Sequence, residues 1–265
     1  MTPSSILDHW DSGRLWTEAP SADAGFDMAA AYQTALQVRA LRLERGEVPA
    51  GFKIGFTNRT IWPRYDVFAP IWGSVYGSTL TYCDESCVLS LAGICQPRIE
   101  PEIVFGMQAQ PAADASLQDL FDAIEWMAPG FEIVGAHLAG WKFAPSDAVA
   151  DGSLHARLLV GRKTPIRLLA PDAAQLDRLL ADAAATLCKG DAVIDQGLGA
   201  NVLDSPLKAL LHFLIELRRC PGAPDLLPGD VVTTGTWTDA WPVAPGESWS
   251  AEFSPPIGNL SVRFG

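Results

Sequence analysis

Apolar residues recur along this chain at two spacings, and the switches between them mark its elements. Behind the capping residue Asp27, Ala35, Val38, Leu41 and Leu43 fall near helical spacing and Gly46 closes the run, which predicts a helix over 28–45. Before it, in a polar Pro/Ser/Ala-rich stretch over 1–26, Ile6, Leu7, Trp10 and Trp16 anchor a shorter one. Ser116 and Asp119 form a capping box for a helix through Met127, which Pro129 and Gly130 stop. Further helices are predicted from Pro171 to Asp182 and from Pro206 to Arg219, the latter capped by Asp204 or Ser205 and ended before Gly222. Elsewhere the chain reads as strand, at 51–57, 98–105, 131–134, 185–188, 191–195, 231–236 and 259–264, with a turn leading into another strand over 148–161. Between Ile61 and Tyr82 six aromatics and two prolines predict an irregular loop that walls a pocket or meets a partner. No repeat is visible. Strands dominate toward the C-terminus, so the pattern predicts an α+β protein with a helical N-terminal part, 1–75, packed on a β-rich body, 76–265, as one structural unit.

Composition narrows the setting. Of 265 residues, 48% are hydrophobic and nine are tryptophan, more apolar surface than a chain of this size readily hides, which points to a homo-oligomer. The net charge of -12 argues against nucleic acid and anionic membranes as partners. No apolar run reaches the length of a membrane helix, the cysteines number five, and the start lacks a signal-peptide pattern, so a reduced, cytoplasmic protein is expected. Cys83, Cys87 and Cys95 have no nearby histidine or fourth cysteine to complete a zinc site and are read as buried thiols.

Charged residues inside apolar strands carry the candidate chemistry. In Arg98-Ile99-Glu100-Pro101-Glu102-Ile103-Val104-Phe105, alternation sends Glu100 and Glu102 to one face while Ile99, Ile103 and Phe105 serve the packing. Such a pair is either a solvated strand face or one side of a site for a hard cation such as Mg²⁺ or Mn²⁺. Glu132, between Phe131 and Ile133, is a third carboxylate that would be costly to bury alone. With it, the set becomes a three-oxygen half-shell for an octahedral ion. Lys53, flanked by Phe52 and Ile54 and bracketed by Gly51 and Gly55, is either a solvated strand lysine or a desolvated proton-transfer group. Ser153, in the turn Asp151-Gly152-Ser153, either binds a ligand or only shapes the turn.

The ordered set Lys53-Ile-Gly, Arg98-Ile-Glu-Pro-Glu-Ile, Phe131-Glu-Ile-Val, Val149-Ala-Asp, Leu198-Gly-Ala-Asn-Val-Leu and Pro228-Gly-Asp-Val-Val-Thr-Thr-Gly-Thr resembles the 2-keto-4-pentenoate hydratase and 4-oxalocrotonate decarboxylase branch of the fumarylacetoacetate hydrolase superfamily. The resemblance spans about residues 30–265. It implies the β-rich fumarylacetoacetate hydrolase C-terminal fold, Mg²⁺ or Mn²⁺ on Glu100, Glu102 and Glu132, and catalysis by Lys53. The implied substrate is a small 2-oxo acid or its dienol. The implied reaction is hydration of a 2-hydroxy-2,4-dienoate to a 4-hydroxy-2-oxo acid in aromatic meta-cleavage catabolism. Decarboxylation of a 2-oxo-3-enedioate, acylpyruvate hydrolysis and a non-catalytic partner subunit are the alternatives. Candidates for substrate contact are Arg59, Lys142, Ser153, Thr234, Gly235 and Thr236, with Arg64 a further available cation. The Glu-His pair of the hydrolytic members has no obvious counterpart among His9, His137, His155 and His212.

Overall fold

In a computed structural model that describes residues 1–265 apart from the side chain of Arg64, two sheets organise the chain. The elements are α1 (Pro3–Ser12), α2 (Met28–Glu44), β1 (Pro49–Gly55), α3 (Trp62–Tyr65), β2 (Ile71–Tyr76), β3 (Leu80–Tyr82), β4 (Ser86–Leu89), β5 (Arg98–Met107), α4 (Leu117–Ala123), β6 (Ile124–Val134), α5 (Pro145–Ala150), β7 (His155–Val160), β8 (Thr164–Pro165), α6 (Ala173–Asp182), β9 (Ala184–Lys189), β10 (Ala192–Leu198), α7 (Pro206–Arg219), β11 (Val231–Thr233), β12 (Trp241–Pro242), β13 (Ser248–Phe253) and β14 (Gly258–Phe264). The larger sheet has nine strands in the order β2-β1-β11-β5-β6-β7-β3, with β12 on β5 and β8 on β6. The smaller runs β10-β9-β13-β14-β4. Most pairings are antiparallel, whereas β1 with β11, β3 with β7 and β4 with β14 are parallel.

Alternation in β5 and β6 divides the molecule. Ile99, Ile103 and Phe105, with Phe131 and Ile133, enter the main core together with α4, α6, α7 and the inner face of the smaller sheet. The opposite face of the larger sheet carries the polar residues described below, and α5 and α2 pack beside it around Val134, Val149 and Ala31. Strand β1 shows the same division. Phe52 meets Phe213 of α7, with ring centroids 5.4 Å apart, while Lys53 takes the polar side.

Several elements depart from the sequence expectation. The Ser116 capping box forms in full, but α4 ends at Ala123 and β6 runs straight through Pro129 and Gly130. Ten register pairs with β5 stabilise this segment as strand, and a local stop signal gives no view of a partner on the other side of the sheet. The aromatic stretch 61–82 is likewise not all loop. Trp72 and Tyr76 lie in β2, which β1 pairs along its length, and β3 follows. Strand β11 stops at Thr233 rather than 236, and the next residues turn over the polar face. Strands β4 and β13 and helix α5 were not anticipated, although Trp249, Ala251 and Phe253 of β13 alternate inward as a half-buried strand should.

Candidate active site

Register brings the carboxylates together. Glu100 of β5 stands directly opposite Glu132 of β6, and Glu102, two residues along, projects to the same face. One carboxylate oxygen from each of the three lies within 4.8 Å of the others. Glu102 and Glu132 are wholly buried. Glu102 Oε2 accepts a hydrogen bond from the Gly235 N–H at 2.7 Å, while its Oε1 is buried with no hydrogen-bond partner. Lys53 Nζ lies 3.2 Å from Glu132 Oε2. On the other side, His155 Nδ1 is 2.9 Å from Glu132 Oε1 and its Nε2 is 2.9 Å from Thr79 Oγ1. Because an ionised carboxylate only accepts, this arrangement assigns the N–H to Nδ1 and leaves Nε2 an acceptor facing the Thr79 hydroxyl, which also lies 3.0 Å from the Tyr76 carbonyl as a donor to it.

The charges do not balance. Burial pushes the Glu100 carboxyl up to about 7, the pull of Lys53 and Arg98 only partly opposing it while Glu132 adds to the rise. Burial, then Glu132 and Glu100, push Glu102 well above the carboxylate range. Burial would raise Glu132 as well, but Lys53 and His155 hold it below its ordinary value. For Lys53, burial favours the neutral amine, and the summed field of Glu132, Glu100 and Glu102 overrides it, so the ammonium is favoured. One ammonium facing three converging carboxylates leaves room for further positive charge. A hard divalent cation with oxygen ligands fits this donor set, and Glu102 Oε1 is a buried carboxylate oxygen with no hydrogen-bond partner among the described residues.

Lys53 and Glu100 line a cavity of about 480 Å³ whose other walls include Thr57, Tyr65, Arg98, Trp141, Phe143 and Trp241. Its backbone is strained in places. The lining residues Phe56, Trp141, Ser153 and Leu154 all have φ between 55° and 66°, where non-glycine residues are uncommon. Gly235, at φ 100°, is required by contact as well as conformation, since a Cβ there would stand 2.0 Å from Thr57 Oγ1.

The structure gathers some of the candidate residues and disperses others. Lys53, Ser153, Gly235 and Thr236 line the cavity with Glu100. The Ser153 hydroxyl donates to Trp72 O at 2.6 Å, and the Thr234 hydroxyl donates to Ile103 O at 2.9 Å, so both protons are engaged by backbone. Arg59 is outside the lining and pairs with Asp204 at 2.6 Å on the surface, and Lys142 is exposed and also outside it. The side chain of Arg64 is outside the described residues. Two groups were passed over. Arg98 shares the face of Glu100 and Glu102 by the same alternation, which would have found it. His155 reaches Glu132 across β6 and β7, a pairing for which the sequence carries no signal.

No family model matches the chain. Its fold is that of the fumarylacetoacetate hydrolase superfamily. It is similar to 4-oxalocrotonate decarboxylase from Pseudomonas putida G7, solved with magnesium and adipate, at a TM-score of 0.88 and 24% identity over 99% of this chain and 95% of that one. It also shares its fold with fumarylpyruvate hydrolase from Pseudomonas aeruginosa, solved with Mn²⁺ and pyruvate, at a TM-score of 0.57 and 14% identity, covering 82% and 89%. A 2-hydroxyhexa-2,4-dienoate hydratase from Comamonas testosteroni is 31% identical over 94% of this chain and 91% of its own. A 4-oxalocrotonate decarboxylase from a Pseudomonas species is 27% identical over 98% and 97%. The chain belongs to the 2-keto-4-pentenoate hydratase and 4-oxalocrotonate decarboxylase family.

Proposed function

We propose that this chain is a lyase, a divalent-metal-dependent hydratase that converts a 2-hydroxy-2,4-dienoate into a 4-hydroxy-2-oxo acid in aromatic meta-cleavage catabolism. The observation that carries the reading is the Glu100, Glu102 and Glu132 cluster, the last two wholly buried, with Lys53 against Glu132 and both Lys53 and Glu100 on the cavity wall. In this reading the three glutamates hold Mg²⁺ or Mn²⁺, which supplies Lewis acidity toward the oxygens of a 2-oxo acid. Lys53 is the proton-transfer residue, its ammonium form maintained by the carboxylates. It delivers a proton to the terminal carbon of the dienol and is recharged by the proton that the enol hydroxyl releases, leaving a conjugated 2-oxo acid. Water then adds, hydroxyl to C4 and hydrogen to C3. His155 and the Gly235 N–H orient Glu132 and Glu102, and the apolar walls, Phe143 and Trp241 among them, limit water to the reacting end.

One observation favours decarboxylation as the second reading. Arg98 lines the cavity with its guanidinium over the Trp141 ring, 4.2 Å from the centroid, and forms no carboxylate ion pair among the described residues. A second, distal substrate carboxylate would find a partner there. Purified protein with Mg²⁺ should consume 2-hydroxypenta-2,4-dienoate with loss of its ultraviolet band and appearance of 4-hydroxy-2-oxopentanoate. CO₂ release from 2-oxohex-3-enedioate without dienoate hydration would select decarboxylation, and inertness toward both would overturn the enzyme reading.

Among the described residues no helix is long and apolar enough to cross a membrane, and a cytoplasmic setting is part of the proposed reading. A homo-oligomer is part of the same reading. Phe68, between β1 and β2, is 77% exposed, and Val88 and Val193, on opposite edge strands of the smaller sheet, are 72% and 61% exposed. Light scattering at micromolar concentration should give a multiple of the 28.4 kDa chain mass, and a monomer mass would refute it.

A further inference from the structure

A second cavity, about 300 Å³, lies where the ends of α1 and α2 meet the start of β7, and it shares no lining residue with the first. Arg42, Arg45, Arg157, Asp11, Glu47 and His137 supply its charged and titratable lining. Four of these neutralise one another. Arg42 and Arg45 both hold Glu47, Arg42 NH2 at 2.7 Å from Oε2, and Arg45 also holds Asp11 at 2.6 Å. Arg157 is different. It lies half-buried beside Ile133 in register, donates from NH1 to the carbonyl of Ala156 at 2.7 Å, and has no carboxylate partner among the described residues. Burial, with Arg42 nearby, pushes its guanidinium below the ordinary value, as befits a cation without a counterion.

His137 adds a second unsatisfied group. It is 3% exposed, its Nδ1 is 2.6 Å from Asp151 Oδ1, and its ring sits against Trp10 and Trp16 at centroid distances of 5.2 and 5.9 Å. The carboxylate of Asp151 fixes the N–H on Nδ1, which leaves Nε2 a buried acceptor without a donor among the described residues. Ser78 and Thr79 add hydroxyl-bearing side chains to the wall, and Trp10, Ile94, Cys95 and Ala156 add apolar surface.

We propose that this cavity binds a small organic monocarboxylate, its oxygens on the Arg157 guanidinium and its apolar body against Trp10 and Ile94. The lining carries one uncompensated positive charge, which matches a single carboxylate, and a guanidinium fork suits that planar anion. A phosphate dianion would leave negative charge uncancelled in a chain whose net charge is already -12. The site is independent of the hydratase reading.

Benzoate is a suitable probe because it has an apolar ring and, lacking a 2-oxo group, no five-membered chelate to offer a metal. Calorimetric titration of the Mg²⁺-loaded protein should show one benzoate per chain, weakened at least tenfold in Arg157→Gln and less in Arg157→Lys. Ala92→Trp, at an exposed lining position, should also weaken binding tenfold by filling the mouth while leaving every charge in place. Lys53→Met should bind benzoate as the wild type does. No uptake by the wild type at millimolar benzoate would overturn the proposal. So would wild-type affinity in Arg157→Gln or in Ala92→Trp, or loss of binding in Lys53→Met, which would put benzoate in the first cavity instead.

Discussion

Lys53 and His155 flank the same carboxylate, and their substitution separates chemistry from positioning. Lys53→Met removes the proton but keeps most of the buried volume. It should lower kcat by about 10²- to 10⁴-fold with KM and Mg²⁺ affinity near wild type. A rise in KM with unchanged kcat would show that Lys53 only positions substrate. His155→Ala leaves Glu132 Oε1 without its donor, so Mg²⁺ affinity by calorimetry should fall about 10- to 100-fold. His155→Asn, whose amide can stand where Nδ1 stands, should fall in between. If His155 serves packing alone, both variants will melt earlier while binding Mg²⁺ as tightly as the wild type.

At the scale of elements, the short run after β11 sets the site. Strand β11 pairs with both β1 and β5 and so bridges Lys53 to the glutamates. It ends at Thr233, and the Thr234 N–H still bonds Ile103 O at 3.1 Å, which turns the Gly235 N–H onto Glu102. Gly235→Ala would press a methyl into Thr57 in a backbone conformation that other residues avoid. It should cost about 1–3 kcal/mol of stability in denaturant unfolding and weaken Mg²⁺ binding as well. Unchanged stability and affinity would mean that the turn relaxes without consequence. The alternation of β5 was legible in the sequence because period two needs no partner to be read. Neither the true end of α4 nor the strand character of 71–76 could be read, because both depend on a neighbouring strand that is distant in the chain.

Across the whole molecule, a surface cluster ties the N-terminal helices to the sheet. Burial alone would raise the Glu47 carboxyl, but hydrogen bonds from Arg42, Ser78 and Arg45 hold it down to about 2. A folded-state value below the ordinary one stabilises the fold above the ordinary carboxylate range, and that contribution disappears as pH falls toward 2. The melting temperature of Glu47→Gln should therefore lie below that of the wild type at neutral pH and converge with it on acidification. A constant offset across that range would show that Glu47 acts through packing rather than charge.

Sequence by itself determined which side chains share a strand face and which residue types are available for chemistry. Glu100 and Glu102 lie together because successive strand residues point to opposite faces, and Glu132, buried between apolar neighbours, announced a need for a partner. Tertiary structure alone decided that Glu132 stands opposite Glu100, that Lys53 arrives two strands away, and that His155 rather than a solvent molecule holds Glu132. It also decided that Arg59 and Lys142 stay outside the cavity while Arg98 lines it. The physical reason is the range of the interactions: strand alternation is set by local backbone sterics, whereas register, strand order and the meeting of charges depend on residues far apart in sequence.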